Sequence, residues 1–168
     1  MTKSMNANIH ILIADLQNPI HQQAIVDLTN DYACDELAGG EPLPIEVQQN
    51  LIAGLQQHPT TLVFLAFDQD RAIGIATSFI GFSTFAAKPL INVHDLSVRA
   101  EYRGQGVGRA LLNAVEQEAR RRGCVKLTLE VLENNRRAIG LYESFGFAQA
   151  VYSPTSGGAM FFAKSLVQ

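Results

Sequence analysis

The residue types best suited to chemistry cluster in Arg103-Gly104-Gln105-Gly106-Val107-Gly108-Arg109, between an apolar run and an amphipathic one. Glycines at alternate positions let the backbone turn tightly and approach a ligand without Cβ interference. A helix starting there leaves its first N–H groups without helical partners and turns the positive end of its dipole toward the loop. Together these features suit a phosphate or pyrophosphate, with Arg103 and Arg109 as added charge. The pattern is G-x-G-x-G, deep in the chain, and not the G-x-G-x-x-G that opens a dinucleotide fold. No Gly-Lys-Ser/Thr follows, which excludes a P-loop. Taken by itself, the loop also reads as a glycine-rich connection with no ligand.

Proton-transfer groups lie on both sides of this loop. Before it, Asn92-Val93-His94-Asp95 places a histidine and a carboxylate on an expected strand. After it, Glu130 alternates out of phase with Leu127, Leu129 and Val131 and so leaves their apolar face. Ala138, Leu141, Tyr142 and Phe145 recur at helical spacing, so by periodicity alone Tyr142 is a packing residue. The two cysteines, Cys34 and Cys124, have no adjacent histidine, and no Cys or His spacing resembles a zinc site. Neither a disulfide nor a metal is expected. Arg120-Arg121-Arg122 ends a helix, where cations offset the negative dipole end. Arg136 and Arg137 stand at a helix start, a position better suited to a ligand phosphate.

These groups must be held by elements that the pattern largely specifies. Ile9 to Leu16 suits a first strand, and Asn18-Pro19 then opens a helix whose Ile20, Ala24, Leu28 and Tyr32 would face a core. Ala38 to Pro44 (AGGEPLP) breaks that helix, and Ile45 to Gln57 forms another. Thr61 to Phe67 and Arg71 to Ile80 read as a hairpin, and Leu90 to Val98 as a further strand. A helix follows from about Gly106 to Arg122, then a strand from Val125 to Leu132. Asn134 or Asn135 caps a helix to about Ser144. Two last strands, Phe147 to Val151 and Ala159 to Val167, are joined by a turn containing Ser153-Pro154 and Gly157-Gly158.

The chain has 168 residues, which suits one domain over residues 1–168. Hydrophobic residues make up 47% and charged residues 17%, a balance that excludes a disordered chain. A net charge of −3 argues against broad electrostatic binding to nucleic acid or an anionic membrane. Met1 to Met5 is polar, and the apolar run after it is too short to span a bilayer. The expectation is a soluble, cytoplasmic, reduced protein.

Two segments carry a family resemblance. Leu90 to Gly123 resembles the strand-loop-helix motif of the GNAT superfamily of acyl-coenzyme A-dependent N-acetyltransferases, with Arg103, Gly106 and Gly108 in its Arg/Gln-x-x-Gly-x-Gly/Ala signature. Cys124 to Phe147 is similar to the family's second motif, Asn-x-x-Ala-x-x-x-Tyr, at Asn135, Ala138 and Tyr142, with the Phe145-Gly146-Phe147 ending. The resemblance implies an α/β (α+β) fold: a mixed, mostly antiparallel sheet of about seven strands, splayed between its two central strands and flanked by about four helices.

It also implies roles. Acetyl-coenzyme A would be the acyl donor, its pyrophosphate on the amides of Gln105, Gly106, Val107, Gly108 and Arg109, with Gly104 in the turn and Arg103 at the loop entrance. The pantetheine arm would pair like an added strand along Leu96, Ser97 and Val98, with the Leu96 N–H polarising the thioester carbonyl. Asn135 would bond the same arm, beside Ala138. Tyr142 would protonate the departing thiolate. Glu130, the base in some peptide N-terminal acetyltransferases of the family, and Asp95 are the candidate bases.

The acceptor would be a primary amine on a small molecule or a peptide, bordered by the first two helices and their loop. Asp31, Tyr32, Asp35, Glu36 and Glu41 lie there. Phe79, Phe82 and Phe85 would line an apolar part of the pocket or simply pack. Direct attack in a ternary complex is expected, without a metal, and a homodimer is compatible with the resemblance. The alternative is a non-catalytic acyl-coenzyme A sensor on the same fold.

Overall fold

The computed structural model describes residues 9–151, 155 and 158–166. The chain forms two compact units, Met1–Leu132 and Glu133–Gln168. The first contains β1 (Ile9–Ile13), α1 (Pro19–Ala33), α2 (Ile45–Gln57), β2 (Thr61–Asp68), β3 (Arg71–Ser83) and β4 (Lys88–Val98). A 3₁₀ turn (Ala100–Tyr102), α3 (Val107–Arg121) and β5 (Leu127–Leu129) complete it. The second unit contains α4 (Arg136–Phe145).

The five strands lie in chain order, antiparallel from β1 to β4, with β5 added parallel to β4. A mixed, mostly antiparallel sheet and four helices agree with the expected fold class. The strand number does not: five are present among the described residues, where about seven were expected. The segments expected as the last two strands contain one antiparallel bridge, Val151 to Gly158, and no strand among their described residues. Their apolar side chains lack a buried face, as Phe161 and Phe162 are 73% and 80% exposed. Val167, Ser153, Pro154 and Gly157 of that segment, and the opening Met1 to Met5, lie outside the described residues.

Local chemistry sets the helix starts. The Asn18 side chain accepts from the Ile20 N–H at 2.9 Å and Pro19 supplies the first helical residue of α1. Ala24, Ile25 and Leu28 then pack on Val63, Leu65, Phe67 and Ile75 with Leu55 of α2. Ile20, expected in this face, is 67% exposed, while its neighbour His21 turns to Phe67 of β2 at 6.2 Å. The opposite sheet face carries α3, whose Val107, Leu111, Leu112 and Val115 are buried, each contributing about 1.5–3 kcal/mol. Gly74 makes this contact close: a Cβ there would lie 3.2 Å from both the Leu111 side chain and the Ser97 carbonyl.

The strand expected over Val125 to Leu132 is shorter. Its pairing with β4 covers only Ile91–Leu127, Asn92–Thr128 and Val93–Leu129. Val125 and Val131, expected on its apolar face, are exposed, although the Val125 N–H still donates to the Pro89 carbonyl of β4 at 2.8 Å. Beyond Val93, β4 continues to Val98 against β3 alone.

Candidate active site

The divergence of β4 and β5 leaves one edge of β4 open from His94 to Val98. A bulge at the same place decides which backbone groups line that edge. In the β3–β4 ladder Ser78 opposes Val93 while Thr77 opposes Asp95, so His94 is an extra residue on β4. Before the bulge, the Ile91 N–H donates to the Lys126 carbonyl at 3.2 Å, so odd-numbered residues face β5. After it, the Arg99 N–H donates to the Ile73 carbonyl at 2.9 Å, so odd-numbered residues face β3. The main-chain groups of Leu96 and Val98 therefore turn to the open edge, and those of Ser97 turn inward.

The bulge also places side chains. Asp95 opposes Thr77 on the sheet face covered by α1 and α2, and Leu96 opposes Ala76 on the face covered by α3. The exposed His94 ring stands edge-on to Phe79 at 5.5 Å, and Phe79 in turn contacts His58 at 5.0 Å and packs on the α1–α2 side. Burial pushes the Asp95 carboxyl up from its ordinary range, and the His94 imidazole beside it pulls it partly back. The Tyr32 phenol, on the last turn of α1, is raised first by burial and then by the Asp95 and Asp35 carboxylates. Glu130 sits just past the end of β5, exposed and outside the strand.

The glycine loop follows at the end of β4. Gly104 and Gly106 have φ of +72° and +87°, and a Cβ on either would meet nothing within 4 Å, so this backbone fronts open space. Gly106 is the N-cap of α3 and offers no side chain to its first amides. The first helical bond runs from the Ala110 N–H to the Gly106 carbonyl, leaving the Val107 and Gly108 amides ahead of it. No acidic residue occupies this first turn. The Gln105 side chain donates from Nε2 to the Glu101 carbonyl at 2.7 Å, and the Arg109 side chain is exposed on the first turn of α3.

The cations near the loop are engaged by partners that the sequence did not indicate. Arg103 donates from Nη2 to Asp35 Oδ2 at 2.8 Å and from Nε to the Val98 carbonyl at 2.8 Å. Arg99 pairs with Asp31 at 3.2 Å. Two of the acidic residues at the expected acceptor border thus meet arginines. At the far end of α3, Arg121 and Arg122 both bond Glu118, which is 7% exposed and held down at about 2. Arg120 pairs with Glu116. These pairs join the dipole account of the triple arginine. Phe82 and Phe85 are exposed at 63% and 98%, and only Phe79 of the three packs. Cys34 is exposed and Cys124 half-buried, both as free thiols.

In the second unit, the Asn135 side chain accepts from the Ala138 N–H at 3.1 Å and caps α4, leaving Arg136 and Arg137 exposed in the first turn. Gly146, with φ of +102°, ends the helix, and the Phe147 N–H returns to the Tyr142 carbonyl at 3.0 Å. Tyr142 is buried and stands edge-on to Phe147 at 5.9 Å.

An open strand edge beside an uncapped helix start can receive an extended ligand ending in phosphates, with a carboxylate on the neighbouring face. Comparison with known proteins bears on that ligand. A family model described as the acetyltransferase (GNAT) family matches residues 25–147. The chain is similar to a thialysine N-epsilon-acetyltransferase of Bos taurus, 36% identical over 44% of this chain and 43% of that protein. It is also similar to the ribosomal protein bS18-alanine N-acetyltransferase of Escherichia coli K12, 44% identical over 38% of this chain and 46% of that protein. These matches span less than half the length of either relative. Among solved structures, an aminoglycoside acetyltransferase from an uncultured soil metagenomic sample superposes with a TM-score of 0.76, covering 97% of this chain and 99% of that one. At 18% identity the likeness is one of fold.

Proposed function

The chain belongs to the acetyltransferase (GNAT) family, and from that premise we propose that it moves acetyl from acetyl-coenzyme A to a primary amine by direct attack in a ternary complex. The observation that carries this reading is the open β4 edge followed, after the 3₁₀ turn and the glycine loop, by the uncapped start of α3. Leu96 and Val98 present strand-pairing groups there, with Ser97 between them, and the loop supplies amides one turn farther on. The fit is of shape and charge: the backbone at Gly104 and Gly106 has open space in front of it and no carboxylate in the helix's first turn.

The Leu96 N–H polarises the thioester carbonyl as negative charge develops on its oxygen. Gln105, Gly106, Val107, Gly108 and Arg109 hold the pyrophosphate by their amides, and Arg103 stands at the loop entrance. A substrate ammonium, with a pKa of about 10, must lose a proton before it attacks. Asp95 is well placed for that step, on the strand beside Leu96 and raised by burial, and Glu130 past β5 is the other candidate. The new C–N bond forms as the C–S bond breaks, and Tyr142 returns a proton to the thiolate. Asn135, with Ala138 beside it, belongs to the pantetheine side of the reaction. The names of the two curated relatives specify amine acceptors, one a free amino acid analogue and one a protein alanine. Both acceptor classes stay within the reading.

The experiment is thiol release from acetyl-coenzyme A across polyamines, amino acids, aminoglycosides and peptides with free N-termini or lysines. Amine-dependent release above the hydrolysis blank is expected. Tight coenzyme A binding with no release from any amine would instead support a sensor.

A further inference from the structure

Asp35 accepts hydrogen bonds on both its main-chain carbonyl and its carboxylate. Its carbonyl accepts from the Ala38 and Gly40 amides at 2.8 and 3.0 Å, and its Oδ1 accepts from the Leu37 amide at 3.1 Å. Its Oδ2 takes the Arg103 guanidinium at 2.8 Å. Arg103 Nε continues to the Val98 carbonyl at 2.8 Å. An unbroken chain of bonds therefore runs from the loop after α1 to the open edge of β4.

The other end of that loop is fixed independently. The Leu43 amide donates to Asn30 Oδ1 at 2.9 Å, and Gln48 holds the Leu43 carbonyl at 2.8 Å. Four residues back on both sides, Asp31 and Arg99 form a parallel rung at 3.2 Å. The Asp35–Arg103 pair is the rung that reaches the loop, and its side chains are only 18% and 28% exposed, so solvent screens it weakly. The loop starts three residues after Tyr32, on the last turn of α1, whose phenol is raised in part by Asp95 on the α1–α2 face of β4. It thus borders the side from which an amine must reach Asp95.

We propose that Arg103 and Asp35 are positioning residues that couple occupation of the β4 edge to the order of the loop spanning residues 35–44. This rests on the transferase reading above. The Val98 carbonyl has two lone pairs, one of which Arg103 uses. A ligand strand that pairs at this edge shares the carbonyl with Arg103 and favours one orientation of the guanidinium. That orientation fixes Asp35, and through it the amides of Leu37, Ala38 and Gly40. Donor binding and amine binding then strengthen one another reciprocally.

The test uses the full chain and coenzyme A itself. Hydrogen exchange at Leu37, Ala38 and Gly40 should slow when coenzyme A binds the native protein, and should not respond in Asp35→Ala. Asp35→Ala should bind coenzyme A within about threefold of the native protein while its amine KM rises about tenfold with little change in kcat. Adding Arg103→Gln should raise the amine KM no further. A simple clamp between α1 and the sheet would lower Tm in Asp35→Ala yet leave the coenzyme A-dependent protection in place, which overturns the proposal. Additive effects of the two substitutions would overturn it as well. Failure of the native protein to bind coenzyme A overturns the transferase reading along with the coupling, whereas binding without loop protection overturns the coupling alone.

Discussion

Replacing Gly106 by alanine separates the cost of a backbone conformation from the cost of a blocked ligand. Gly106 caps α3 at φ +87° with open space where a Cβ would stand, so strain is the structural penalty. An L-residue in this region costs about 1–2 kcal/mol. For a chain of this size that corresponds to a fall in Tm of about 2–8 °C. Gly123, just past the other end of α3, provides the control: its φ is +69° and its Cβ position is equally empty. Gly123→Ala should therefore lose similar stability. The two variants should part on ligand binding, because the Gly106 methyl fills the space proposed for the pyrophosphate. A hydrogen bond to a charged group is worth about 1.5–3 kcal/mol, so losing one weakens coenzyme A binding about tenfold to a hundredfold. Calorimetric titration with coenzyme A, alongside thermal unfolding, reads both quantities. Native affinity in a folded Gly106→Ala protein would refute the loop assignment, and equal losses in the two variants would show that strain alone was being measured.

Tyr142→Phe should lower turnover at least tenfold and leave coenzyme A affinity nearly unchanged, as steady-state kinetics and titration would report; an unaltered rate removes Tyr142 as the acid. Asp95→Asn should slow amine acetylation sharply while Tm at neutral pH holds or rises. The sign follows from burial, which raises the Asp95 pKa, so its charged form opposes folding at high pH and the neutral amide relieves that cost. Glu118→Gln should cost about 1–3 kcal/mol near neutrality by removing the negative charge that Arg121 and Arg122 share and turning one carboxylate oxygen into a donor that faces a guanidinium. Because the Glu118 pKa falls from the ordinary 4.5 to about 2, its contribution is complete above pH 4.5 and fades as pH drops through 2. Tm differences between native and variant protein should shrink across that window.

Much of the architecture was legible because local signals agreed with tertiary need. Asn18-Pro19, the AGGEPLP break and the amphipathic stripe of α3 each specify an element by chemistry within a few residues, and each element stands where those signals put it. The C-terminal strands were misread for the converse reason. Apolar alternation in Ala159 to Val167 describes a strand only when another strand supplies a buried face, and its described residues are exposed. At the site, the glycine loop announced itself through residue type. Its cation partners did not, since Asp35 and Arg103 are 68 residues apart and no local pattern links them. The closeness of α3 to β3 left a fainter trace: a glycine inside a strand, Gly74, signals close approach but not what approaches.

The extra residue at His94 gives β4 two phases. Up to Val93 the strand is read in one frame and from Asp95 onward in the other. Deleting His94 would leave Val93 opposite Ser78 and Asp95 opposite Thr77 in a regular ladder, with Leu96 and Val98 still at the open edge and the bend of the bulge removed. Substitution at position 94 leaves the frame untouched. Neither change moves a reacting group to another face, so what descendants of this chain would lose with His94 is the bend of the strand, while the frame is kept by the pairing on either side of it.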